Sequence, residues 1–85
     1  MATMHVEVVS PEAYVWSGEA TMVLARTVEG DLGILPGHAP LLGQLVETTV
    51  TIRTEGADVS VEVKGGFLSV SGERVSVLAE EAVLV

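Results

Sequence analysis

The side chains able to carry acid–base or metal chemistry are two histidines, His5 and His38, and twelve carboxylates. Two isolated histidines, with no cysteine and no carboxylate at ligand spacing, do not make a metal site. His5 alternates with Val6 in an apolar–polar run, so its ring is expected to face solvent. No serine stands in a Gly-x-Ser-x-Gly elbow, and one loop histidine cannot complete a Ser/His/Asp set. Glu80 and Glu81 are adjacent in an expected strand, where neighbours point to opposite faces and cannot share a proton. Gly30-Asp31-Leu32-Gly33 and Gly65-Gly66 match neither the dinucleotide fingerprint nor the phosphate loop. No catalytic set, cofactor site or metal site can be assembled. What remains is contact chemistry, and one segment is built for it.

That segment runs from Glu29 to Leu42 and carries three glycines and two prolines among large aliphatic residues. Glycine permits positive φ, proline fixes φ, and the aliphatics between them must still reach a core. The expected result is a rigid, folded excursion holding Asp31 and His38 in fixed places. The elements around it read as strands. Val59, Val61 and Val63 alternate with Ser60, Glu62 and Lys64; Val50 and Ile52 alternate with threonines and Arg53; Val75, Val77 and Ala79 alternate with Ser76, Leu78 and Glu80. These are half-buried β patterns. Further strands are expected over 4–10, 14–19 and 21–27, with shorter ones near 32–35, 43–46, 67–71 and 82–85. Turns are expected at Ser10-Pro11-Glu12, Ser17-Gly18, Glu55–Asp58, Lys64-Gly65-Gly66 and Ser71-Gly72-Glu73. About ten short strands so spaced read as an all-β sandwich or barrel, with no convincing amphipathic helix. Met22-Val23-Leu24-Ala25 is apolar on both faces, so its outer face either lies open or meets another protein.

An 85-residue chain makes one domain. Folding at this size buries only about 63% of the unfolded surface, which leaves a domain that gains from a partner. Absence of cysteine excludes disulfide staples and favours a reducing, intracellular home. Residues 1–8 lack the basic and apolar regions of a signal peptide, and no apolar run approaches membrane-spanning length. The net charge of −8 makes nucleic acid and anionic lipid poor partners, and a basic protein surface a fitting one. Tyr14 and Trp16, two apart in one expected strand, would share a face. They either plug the sandwich rim or offer a sugar-stacking platform.

Four passages together resemble the amino-terminal domain of the epsilon subunit of the rotary, F-type ATP synthase. They are Val6–Glu12 followed by Trp16-Ser17-Gly18-Glu19, the loop Glu29–Leu42, Val63–Val70, and Val75–Glu80. They stand in the family's order and spacing across nearly the whole chain, and the long loop is the specific one. The resemblance implies a flattened ten-stranded sandwich of two five-stranded sheets. It implies a non-catalytic part that clamps the gamma subunit and sits on the ring of c subunits, so that torque passes between them. By position, Asp31 would lie at basic c-ring loops, and His38 and Gly43, with Ser10 beside them, at the gamma surface; Leu42 belongs to the same loop contact. The implied location is peripheral, on the cytoplasmic face of a bacterial plasma membrane, without insertion. The family usually continues into a carboxy-terminal helical hairpin. This sequence stops at Val85, so neither ATP binding nor autoinhibition is assigned to it. The rival reading is a small intracellular carbohydrate-type module using Tyr14 and Trp16. The missing signal peptide and cysteines weigh against it.

Overall fold

Alternation of β-branched and polar side chains writes the strands. The computed structural model describes residues 2–85 and resolves that alternation into ten strands. They are β1 (Met4–Ser10), β2 (Ala13–Ala20), β3 (Met22–Thr27), β4 (Gly30–Ile34) and β5 (Leu41–Gln44), then β6 (Thr48–Arg53), β7 (Val59–Val63), β8 (Gly66–Ser71), β9 (Arg74–Ala79) and β10 (Ala82–Leu84). Two five-stranded sheets form, in the orders β2-β1-β9-β8-β5 and β10-β7-β6-β3-β4. Of the alternatives open in the sequence, the sandwich is the one adopted.

Each strand runs opposite to its predecessor in the chain, so β1 and β9 pair in parallel while every other pair is antiparallel. The turns after β1, β3, β5, β7 and β9 therefore share one end of the sandwich, the first end. The turns after β2, β4, β6 and β8 share the second.

The inward positions carry the core. Val6, Val8, Val23, Ile34, Val50, Ile52, Val61, Leu68, Val75 and Val77 are fully buried between the sheets, and no polar side chain is buried among the described residues. On the outer face His5 is half-exposed, as the alternation predicts, but it does have carboxylate neighbours. Its Nδ1 lies 3.2 Å from Glu19 Oε2 and its Nε2 3.5 Å from Glu7 Oε1. A hydrogen bond from Thr3 Oγ1, followed by the one with His5, holds the Glu19 carboxyl below the ordinary glutamate range. No metal-holding group of three forms among the described residues.

Four sequence expectations are corrected. Ser17-Gly18 is not a turn but lies inside β2; the glycine leaves room for the Trp16 ring, which a Cβ at Gly18 would meet at 2.9 Å. Glu80 and Glu81 form the bend between β9 and β10 rather than part of a strand. The short edge strands also start earlier than expected, at Gly30 and Leu41. Finally, Tyr14 and Trp16 do not share a face. A bulge shifts the β1–β2 register, so that Val8 opposes Trp16 and Val9 opposes Tyr14, leaving Val15 as the extra residue. Trp16 turns toward the core while Tyr14 stands 72% exposed on the outer face. The two rings cannot stack one sugar between them, and the platform on which the carbohydrate reading rested is gone.

Candidate partner-binding edge

β4 and β5 are edge strands of different sheets on the same side of the sandwich. The segment from Glu29 to Leu42 is thus a cross-sheet connection and not a hairpin. Its conformation has identifiable causes. Leu35 C=O accepts from His38 N–H at 3.0 Å across Pro36-Gly37, and Gly37 has φ 88°. That is a type II turn, with proline at the position that wants its ring φ and glycine where φ must be positive. Ile34 before the turn is fully buried, and Leu41 after it packs against the core. His38 is half-buried, with ring Nδ1 donating to the Ala39 carbonyl at 2.6 Å. Nε2 has no hydrogen-bond partner among the described residues.

At the first end the two sheets nearly join. Thr27 bridges to Leu45, Val28 N–H donates to Gln44 C=O at 2.9 Å, and Val46 N–H to Arg26 C=O at 3.3 Å. Gly43 lies at this approach. It opposes the buried Leu68, and a Cβ there would stand 3.1 Å from Thr27 Cγ2. In the isolated domain it therefore packs closely against Thr27 of the other sheet, a neighbour that residue type alone does not disclose. Leu42, one residue earlier, points outward and is 71% exposed. Between β4 and β5 lies an open groove of about 460 Å³, lined by Asp31, Leu42, Gly43 and Phe67 among others.

Asp31 opposes Arg26 across the β3–β4 pair, and the two form a two-point ion pair. Arg26 Nε donates to Asp31 Oδ1 at 2.7 Å and Nη2 to Oδ2 at 3.4 Å. The hydrogen bond from Arg26, and then its charge, hold the Asp31 carboxyl below the ordinary aspartate range and push the Arg26 guanidinium up. The folded pKa of Asp31 is depressed, so the pair's stabilisation is present above the ordinary aspartate pKa and is lost as pH falls through the folded value. Both groups are exposed, so that stabilisation is small. An NMR titration of the Asp31 carboxyl should show a midpoint below the ordinary one in the native chain, returning toward it in Arg26→Gln. An unmoved midpoint in that variant would mean the pair does not persist in solution.

The sequence-derived contact residues are not one cluster. Asp31 and Ser10 lie toward the first end, where Ser10 Oγ reaches the Ala13 carbonyl at 3.4 Å. Leu42 and Gly43 lie along the β5 edge, and His38 sits in the turn at the second end. Ser10 and His38 are therefore not neighbours, and a surface that touches both must run the length of the sheet.

One feature of that surface escaped the sequence reading. The register aligns Tyr14, Val9, Leu78, Phe67 and Gln44 in one row across all strands of the first sheet. Leu78 is 52% and Phe67 50% exposed, so the row presents an apolar stripe to solvent. Leu78 between Val77 and Ala79 was the available signal, an apolar residue at an outward position. Charge is also uneven. The acids Glu12, Glu29, Glu47, Glu80 and Glu81 all lie in turns of the first end, with Lys64 the accompanying cation.

Against this geometry, comparisons with known proteins are specific. A family model described as ATP synthase, Delta/Epsilon chain, beta-sandwich domain matches residues 3–85. The ATP synthase epsilon chain of Frankia casuarinae is 56% identical over 82 residues, covering 95% of this chain and 96% of that protein. The epsilon chain of Streptomyces griseus is 55% identical over 84 residues, covering 98% of this chain but 68% of that one. A chain in the Euglena gracilis mitochondrial ATP synthase structure (OSCP/F1/c-ring) superposes with a TM-score of 0.91 at 24% identity; this chain spans 54% of its length. That likeness concerns the fold. A family match over nearly every residue, joined to identities above half with epsilon chains, leaves one assignment: the chain belongs to the β-sandwich domain family of the ATP synthase delta/epsilon chain.

Proposed function

We propose that this domain is a non-catalytic component of the central stalk of a proton-translocating ATP synthase, linking the c-subunit ring to the gamma subunit. The observation that carries the proposal is the family match over residues 3–85. The physical design supports it. A coupling part must transmit torque without deforming, and this body holds its edge loop by a proline-glycine turn between two core-anchored residues.

Two surfaces divide the work. The first end, with its turn acids and the β3–β4 hairpin carrying Asp31, is suited to a basic surface and is assigned to the c-ring. The β5 edge and the outer face beside it, with Leu42, Gly43, the apolar row, Ser10 at one end and His38 at the other, is assigned to gamma. The domain itself does no chemistry. In a bacterial cell it would sit peripherally on the cytoplasmic face of the plasma membrane, held by these protein contacts rather than by insertion.

The test is association. The purified chain should co-elute with gamma subunit, and with gamma bound to a detergent-solubilised c-ring. His38→Asp and Leu42→Ala should each weaken gamma binding by about fivefold, the effect of losing roughly 1 kcal/mol at an interface. Both side chains lie outside the core, so the urea midpoint should stay in place. No association with either partner, all proteins being folded, would overturn the proposal.

A further inference from the structure

On the outer face of the first sheet, toward its second end, charged side chains from three strands meet. His5 and Glu7 lie two apart on β1 and so share a face. The register sets Glu19 of β2 opposite His5 on one side and Arg74 of β9 opposite it on the other. Arg74 Nη1 donates to Glu7 Oε1 at 2.7 Å, and the Tyr14 hydroxyl donates to Glu7 Oε2 at 3.4 Å. Glu7 is the best covered of the four, with 20% of its side chain exposed, and a guanidinium keeps its charge at any ordinary pH. Glu7 thus has a permanent cationic partner.

Glu19 is placed differently. Thr3 Oγ1 donates to its Oε1 at 2.8 Å, and its Oε2 lies 3.2 Å from His5 Nδ1. Among the described residues, His5 is the one group able to carry positive charge within ion-pair distance of it. Glu73, beside Arg74, offers His5 its carbonyl, which accepts from His5 N–H at 2.7 Å. With a neutral ring, the cluster sets two carboxylates against one guanidinium, an excess of one negative charge. A neutral imidazole has one N–H and one lone pair. It can donate to Glu19 or to Glu7, whose Oε1 lies 3.5 Å from Nε2, and the oxygen it does not serve meets the lone pair. A protonated ring directs an N–H to each and cancels the excess charge. Arg74, directly across the ladder, opposes that proton, but its own charge is turned onto the Glu7 oxygen that both cations approach.

We propose that His5 is a proton-operated clasp on β2, its protonated ring tying Glu19 of that strand to Glu7 of β1. β2 is an edge strand and pairs with β1 alone, so its hold on the sheet depends on contacts of this kind. Folding fixes two carboxylates around the ring, and the unfolded chain does not, so folding and protonation of His5 favour each other. The tie therefore strengthens as pH falls through the ordinary imidazole range. Glu19 stays ionised there, because the hydrogen bonds from Thr3 and then His5 hold its carboxyl below the ordinary glutamate range. Glu19 and Arg74 are both 62% exposed, so the effect is modest. The device calls on no partner protein, and it stands or falls apart from the rotor reading.

The test is a double-mutant cycle on the full chain, with His5→Gln, Glu19→Gln and the two together. Urea unfolding, followed by Trp16 fluorescence, would be measured at about pH 5.5 and about pH 8, on either side of the ordinary imidazole value near 6.5. None of the side chains removed is buried, so all four chains should fold. At the lower pH each single change should raise the unfolding constant about threefold, and the double change should raise it no further than either alone. At the higher pH the coupling between the two sites should fall toward none. His38 and the amino terminus titrate alike in all four chains, and the cycle cancels them. Coupling of equal size at both pH values overturns the proposal, because a tie indifferent to the proton is an ordinary hydrogen bond. Coupling absent at the lower pH overturns it as well.

Discussion

Replacing Gly66 with alanine is expected to cost the domain about 4 kcal/mol or more, enough to leave much of an 85-residue chain unfolded. Gly66 opens β8 with φ 114°, a region that side-chain-bearing residues avoid. A Cβ there would be driven onto the Leu78 carbonyl oxygen and would stand 2.7 Å from Ala79 Cα. Those atoms are backbone of β9, the paired neighbour, and Gly66 opposes Ala79 in that ladder. No rotamer change can relieve the clash. Either β8 leaves β9 or the turn after β7 is rebuilt, and β8 lies between β9 and β5 in the first sheet. Gly72→Ala is the matched comparison, since Gly72 has φ 61° with no atom within 4 Å of its ideal Cβ. It should lose only about 1 kcal/mol, the ordinary cost of the left-handed conformation. Urea titration followed by Trp16 fluorescence measures both. Equal losses in the two variants would show that the sheet yields at Gly66 and that close packing there does not hold the fold.

The sequence reached the sheets and fell short at their corners, for physical reasons. Val59-Val61-Val63 and Val75-Val77-Ala79 could be read because period two is local and the inward positions are uniformly apolar. The bulge opposite Val8 and Val9 could not. One inserted residue changes which face Tyr14 takes without changing composition, and only the partner strand reveals it. Gly18 reads as a turn because glycine is the commonest turn residue, whereas here it makes room for an indole ring. The segment 29–42 reads as a folded excursion and not a linker, but its crossing from one sheet to the other is a long-range fact, and so is the separation of Ser10 from His38. Asp31 shows the same limit. Its charge is plain in the sequence, and its neutralisation by Arg26 appears only once β3 and β4 are in register. Contact residues were thus legible as candidates. Which of them the fold leaves available was not.

Ile34→Ala should lower stability by about 3 kcal/mol and also weaken gamma binding, although Ile34 reaches no surface. Ile34 is fully buried at the last position of β4, paired with Val23, and is the anchor from which the turn carrying His38 departs. Truncation leaves a cavity at that anchor, while Leu41, only partly buried, holds the other side. The segment 35–40 then gains freedom that a partner must remove on binding. Ordering loosened side chains costs about 0.5–1.5 kcal/mol each, so a severalfold loss of affinity follows without any lost contact. Val61→Ala separates this from general destabilisation. Val61 is equally buried, but it lies in β7 between β6 and β10, away from the β4–β5 edge. Both variants should unfold at lower urea, and under conditions where both remain folded only Ile34→Ala should bind gamma more weakly. Amide exchange in β4 and β5 should quicken in Ile34→Ala alone. If the two variants bind gamma equally well, the turn does not need its buried anchor to present His38 and Leu42, and contact along that edge must draw its precision from gamma.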